Sequence, residues 1–157
     1  MTAIIYCKSI TTEEYFKTNV QQQFTDTSDL NLELEDTEFC SAKPKSEKGF
    51  GYMWAGTKAT YGTTKGRVCY EVVIDSNNDV SHLENETCPN VLRCGWSSSS
   101  ASMQLGEEPF SWGYGGTGTK SLNCKFTKYG QKFGVGDVIG CYLVSIVAIY
   151  KGVVYQS

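Results

Sequence analysis

From Leu105 to Gly118 the chain reads Leu-Gly-Glu-Glu-Pro-Phe-Ser-Trp-Gly-Tyr-Gly-Gly-Thr-Gly, with large rings alternating with small residues until glycine takes over. The alternation of Phe110, Trp112 and Tyr114 has the period of a strand and predicts three rings on one face of a pleated segment. Four glycines in residues 113–118 exclude a stable helix immediately afterwards. The segment therefore predicts a strand that runs into a glycine turn.

Gly113-x-Gly115-x-x-Gly118 also satisfies the spacing of a dinucleotide fingerprint, with Asp137 near the position of its ribose-binding acid. That fingerprint requires an aliphatic parallel strand before the glycines and, after them, a helix whose N-terminus holds the pyrophosphate. Neither flank fits. Pro109-Phe110-Ser111-Trp112 precedes the glycines, and 120–126 alternates polar with apolar residues. A phosphate-cradling P-loop fails by one residue, because Thr119 separates Gly118 from Lys120. Nucleotide binding through the loop from Gly113 to Gly118 stands as an alternative, and no cofactor is expected.

Sixteen glycines, ten tyrosines and 13% aromatic residues in 157 favour short strands joined by turns, hence an all-β domain. The formal net charge of -3 lacks the clustered cations that phosphate backbones require. The local exception is Lys120, Lys125, Lys128 and Lys132. Such a run is either a solvated face or a contact for an acidic peptide or phosphate. With Tyr114, Phe126 and Tyr129 as stacking rings, the same run supplies a further alternative, direct binding of single-stranded RNA.

Seven cysteines at 7, 40, 69, 88, 94, 124 and 141, several of them in apolar strands, predict buried thiols in a reducing compartment. No Cys-x-x-Cys pair occurs and the sole histidine is His82, so no metal is expected. Residues 1–7 lack the basic start of a secretory leader, and the uncharged run 138–150 is too short for a membrane span, so no membrane partner is expected. A catalytic constellation is also missing. Glu107 and Glu108, adjacent in a strand, would point to opposite faces.

Residues 1–27 read as an extension in which Thr12 caps a short helix presenting Phe16, Val20 and Phe24. Strand alternation begins with Leu30, Leu32 and Leu34 and is clearest over 67–74, where Val68, Tyr70, Val72 and Ile74 alternate with a partly polar set. Further strands are expected over 91–97, 110–114 and 120–126. Strands this short, spaced about ten residues apart, indicate a β-sandwich.

Four blocks carry a family resemblance. They are Lys65-Gly66-Arg67-Val68-Cys69-Tyr70-Glu71, Val91-Leu92-Arg93-Cys94-Gly95-Trp96-Ser97, residues 104–118, and Gly136-Asp137-Val138-Ile139-Gly140-Cys141. Together they resemble a SPRY domain, most specifically that of heterogeneous nuclear ribonucleoprotein U-like proteins. The resemblance implies a partial SPRY domain over 28–143, an antiparallel β-sandwich incomplete at the C-terminus, with 144–157 as a tail outside the family pattern. It further implies a noncatalytic module that binds a protein or peptide through loops at one end, in a nuclear protein of RNA processing whose RNA contacts lie elsewhere.

In a related SPRY domain, that of a trithorax-type histone methyltransferase subunit, the arginine before Gly-Trp-Ser helps hold an acidic peptide; the matching residue here is Arg93. Glu107, Gly115 and Thr117 stand where that relative has an aromatic and basic groups. From the residues alone, Arg93 is either a structural ion pair or a ligand contact. The expected partner-binding set is Arg93, Ser98, Ser99, Glu107, Tyr114, Thr117 and Lys120. The expected structural core is Trp54, Tyr70, Gly95, Trp96, Phe110 and Trp112.

Overall fold

The computed structural model describes residues 2–6, 28–34, 41–45, 50, 52–85, 89–145 and 150–156. These form eleven strands and, among the described residues, no α-helix. The helix expected after Thr12 lies outside the described residues. The strands are β1 (Thr2–Tyr6), β2 (Leu32–Leu34), β3 (Ser41–Pro44), β4 (Ala55–Thr63), β5 (Gly66–Ser76) and β6 (Leu92–Ser98). They continue with β7 (Ser111–Gly115), β8 (Thr119–Leu122), β9 (Lys125–Lys128), β10 (Val138–Ser145) and β11 (Tyr150–Gln156).

One sheet has the order β10-β5-β1-β3-β2 and the other β4-β11-β6-β7-β8-β9, with antiparallel pairing throughout. The expected all-β sandwich is thus the observed architecture. The sheets also reach past both limits of the resemblance, since β1 lies between β5 and β3 and β11 between β4 and β6.

The two sheets meet through Tyr70, Val72 and Ile74 of β5 and Cys141 of β10 on one side, and Ala59 of β4 with Leu92 and Cys94 of β6 on the other. Val72, Ile74 and Leu92 are fully buried, each removal from water contributing about 1.5–3 kcal/mol. Trp96 packs against this core, its ring edge-on to Tyr70 at 5.1 Å between centroids.

Three expectations are corrected. Phe110 and Trp112 are not core residues; they are 61% and 38% exposed. Phe110 has φ of 59° and so stands outside the pleat, which breaks the expected face of three rings before it starts. Trp112 does share the inward face with Trp96, its cross-strand partner, but β7 lies toward the β9 edge of its sheet, where the core does not cover it. Third, the single strand expected over 120–126 is a hairpin. Asn123 and Cys124, at φ 50° and 58°, make a two-residue turn between paired Leu122 and Lys125, with the left-handed conformations a tight hairpin demands.

Candidate recognition surface

Cross-strand partners share a face, so the register of β6 and β7 divides the expected site residues. Cys94 pairs with Tyr114 and Trp96 with Trp112 on the inward face, while Arg93 pairs with Gly115, Gly95 with Gly113 and Ser97 with Ser111 on the outward face. Arg93 and Tyr114 therefore lie on opposite sides of one sheet.

The outward face is covered by the segment 99–110, which acts as a lid. Buried Lys58 of β4 donates to the Ala101 carbonyl, and Arg93 Nη1 donates to the Leu105 carbonyl at 3.1 Å. The amide of Gly106 donates to Ser111 Oγ at 2.8 Å, the amide of Cys124 donates to the Gly106 carbonyl at 3.1 Å, and the Ser98 amide donates to the Phe110 carbonyl at 2.8 Å. Leu105 is fully buried against Trp54, forming a second small core outside the main one. Gly106 has to be glycine here. It sits at φ +85° with the place of a side chain already occupied by Ser121 Oγ at 1.9 Å.

Glu108 braces the lid from within, its carboxylate accepting the Ser102 amide at 3.1 Å. Hydrogen bonds from Ser102 hold the Glu108 carboxyl below its ordinary pKa.

At the margin of this lid, Arg93 lies between two rings. Its guanidinium carbon is 4.8 Å from the centroid of Trp54 and 5.0 Å from that of Phe126, and Nη1 is 3.7 Å from Glu107 Oε1. The side chain is 13% exposed and that of Glu107 35%. A guanidinium set close over two rings and bonded to a carbonyl is held in place, with its charge largely withdrawn from bulk water. Arg93 is thus paired with Glu107, and it underlies an exposed surface. Phe126, on β9, is 49% exposed.

Ser98 and exposed Ser99 open the lid, and Phe110 closes it, so these residues and Arg93 with Glu107 belong to one lid-centred region. Tyr114, Thr117 and Lys120 do not. Tyr114 packs on Phe133 at 5.1 Å and on Tyr129 at 5.4 Å, and its hydroxyl donates to the Gln131 carbonyl. Burial raises its pKa. Lys120 lies 5.2 Å over the Tyr129 ring, and Thr117 meets Thr119 at the glycine turn. Sequence reasoning missed Leu105, gave Phe126 only as a stacking ring for RNA, and placed Trp54 only in the core. The signal for Phe126 was available in the Asn123 turn, which folds β9 back beside Arg93.

The glycine loop leads into β8, not a helix, so no helix terminus faces a phosphate, and the nucleotide alternative loses its structural basis. Among the described residues no group of His, Cys, Asp or Glu could hold a metal ion, and no helix is long and apolar enough to cross a membrane.

A two-sheet antiparallel sandwich carrying a loop-built rim of arginine and exposed rings defines a β-sandwich interaction domain. The SPRY domain family model matches residues 67–146, from the second residue of β5 through β10 and including the lid. This chain belongs to the SPRY domain family. It is 42% identical over 118 residues to heterogeneous nuclear ribonucleoprotein U-like protein 2 of mouse and of human, covering 75% of this chain and 15% of each relative. It is also 41% identical over 90 residues to the ATP-dependent RNA helicase DDX1 of Xenopus laevis, covering 57% of this chain and 10% of the relative. The chain therefore spans only a small part of the curated relatives it matches.

Proposed function

We propose that this chain is a noncatalytic recognition module that binds a protein or peptide partner through the lid-centred surface around Arg93, within a nuclear protein of RNA processing. The observation that carries the reading is the clamping of Arg93 between Trp54 and Phe126, with Phe126 and the lid residue Phe110 left exposed. Rigid rings beside a partly desolvated cation are the kind of anchors from which interface hot spots are built. Ser98, Ser99 and Glu107 complete the proposed contact set. The names of the relatives, a ribonucleoprotein-like protein and an RNA helicase, support the RNA-processing setting and the nuclear location. RNA is then engaged by other segments of such proteins.

The test is quantitative capture from nuclear extract on immobilised wild type, Phe126→Ala and Phe110→Ala. Wild type should enrich a defined protein set that either variant loses. Identical sets on all three would remove this surface from the reading.

A second reading has its own observation. Residues 109–136 contain four lysines and no aspartate or glutamate, and Lys120 sits on an exposed tyrosine ring. Tyr114, Thr117 and Lys120 would then serve single-stranded RNA or an acidic peptide on this separate face. Fluorescence anisotropy with a labelled RNA oligonucleotide decides for RNA, which requires binding that falls steeply with salt.

A further inference from the structure

Two cysteines from opposite sheets meet inside the sandwich. Cys94, on β6, is completely buried, and Cys141, on β10, is 8% exposed; both belong to the cluster that joins the sheets. Tyr70 fixes their relation independently. It is the cross-strand partner of Cys141, and its hydroxyl is hydrogen-bonded to Gly95, the residue after Cys94. The Cys94 thiol donates to the Tyr114 carbonyl at 3.8 Å, and the two neighbouring thiols act on each other, raising the Cys94 pKa and lowering that of Cys141.

The other described cysteines lie apart from this pair. Cys69 neighbours Tyr70 on β5 and so points to the opposite face, while Cys124 sits exposed at the β8–β9 turn. Cys141 is on β10, an edge strand, so its side of the pair lies at a margin of the sandwich.

We propose that Cys94 and Cys141 are an oxidation site that closes to a disulfide between the two sheets when the chain meets hydrogen peroxide. The Cys141 thiolate attacks the peroxide; an S–O bond forms, the O–O bond breaks, and the departing hydroxide takes up the proton released by Cys141 to leave as water. Cys94, deprotonated in turn, attacks the Cys141 sulfur. The S–S bond forms, the S–O bond breaks, and the second hydroxide leaves as water with the Cys94 proton. Two thiols are oxidised, one peroxide is reduced, and two waters result. The cross-link ties β10 to β6, the strand that carries Arg93, and so stiffens the sheet beneath the lid.

Trypsin separates the candidates. Cleavage at Arg93, Lys120, Lys132 and Lys151 puts Cys94 alone in 94–120 and Cys141 alone in 133–151. The full chain would be treated with hydrogen peroxide, its remaining thiols alkylated, and the digest mapped by mass spectrometry without reduction. A peptide joining 94–120 to 133–151, lost on adding dithiothreitol, is the expected result. The oxidised chain should also melt roughly 5–10 °C higher than the reduced one, as a cross-link of the unfolded chain requires. Cys94→Ala and Cys141→Ala should each abolish that peptide, although mapping of wild type decides even if a variant fails to fold. Modification of Cys124 without the joined peptide, or linkage of Cys94 or Cys141 only to other cysteines, would overturn the proposal.

Discussion

The hydroxyl of Tyr70, on the inner face of one sheet, is bonded to both backbone polar groups of Gly95 in the other: it accepts the Gly95 N–H at 2.9 Å and donates to the Gly95 carbonyl at 2.5 Å. Tyr70 is 4% exposed, and burial raises its pKa well above the ordinary value, so the hydroxyl stays protonated as a donor. Tyr70→Phe keeps the ring and removes both of these buried bonds between the sheets. We expect a loss of about 2–3 kcal/mol in urea unfolding. A loss below about 0.5 kcal/mol would show that neither bond matters.

Gly95 is required for a different reason. A Cβ there would lie 1.9 Å from the Trp112 carbonyl oxygen, backbone that cannot move without parting β6 from β7. Gly95→Ala should therefore destabilise by more than about 3 kcal/mol or prevent folding. The control is Gly134→Ala, where nothing lies within 4 Å of the added methyl. Thermal melts of the two variants should differ widely; equal melts would contradict the close approach.

The clamp on Arg93 rests on its planar shape more than on its charge. Arg93→Lys keeps the charge but loses the stack on Trp54 and Phe126 and the directed bond to Leu105, at an expected cost of about 1–2 kcal/mol. Glu107→Gln removes only a 3.7 Å ion pair to a partly exposed carboxylate and should cost less than about 0.5 kcal/mol. Chemical denaturation of both variants checks the ranking.

Cys124 holds a left-handed conformation that glycine adopts freely. Cys124→Gly should stabilise the β8–β9 hairpin by about 0.4–1 kcal/mol. Calorimetry would read this as a higher melting temperature. A drop would mean that the contact from the Cys124 thiol to the Glu107 carbonyl, at 3.0 Å, outweighs backbone ease.

The brace between Glu108 and Ser102 gives the lid a pH dependence. The Glu108 carboxyl titrates below its ordinary range because the Ser102 hydrogen bonds favour its charged form. Its stabilising effect is thus fully present above the ordinary glutamate pKa and fades as pH falls through the lowered folded value. Carboxyl NMR titration should give Glu108 a midpoint below those of unperturbed glutamates, and exchange of the Ser102 amide should quicken in acid. A midpoint at or above the ordinary value would remove the brace.

Strand content is legible in the sequence. Alternation located β5, β6 and β7 to within a residue or two of their ends, because side chains on opposite faces of a strand meet different solvents. The β8–β9 turn was not read, since Asn-Cys is a weaker signal than Asn-Gly. The candidate site residues divide between two surfaces, Arg93 and Glu107 lying together on one and Tyr114 and Lys120 on the other.

Short antiparallel strands of the SPRY pattern follow from periodicity, glycine placement and block order, which are local properties of the chain. Long-range packing sets which face of each strand turns inward, lays the 99–110 lid over the outward face, and leaves Phe110 and Trp112 exposed. Alternation groups residues into faces but carries no sign. That sign is set by what packs against the strand, and the lid, the partner sheet and the crowded backbone at Gly95 all come from distant parts of the chain.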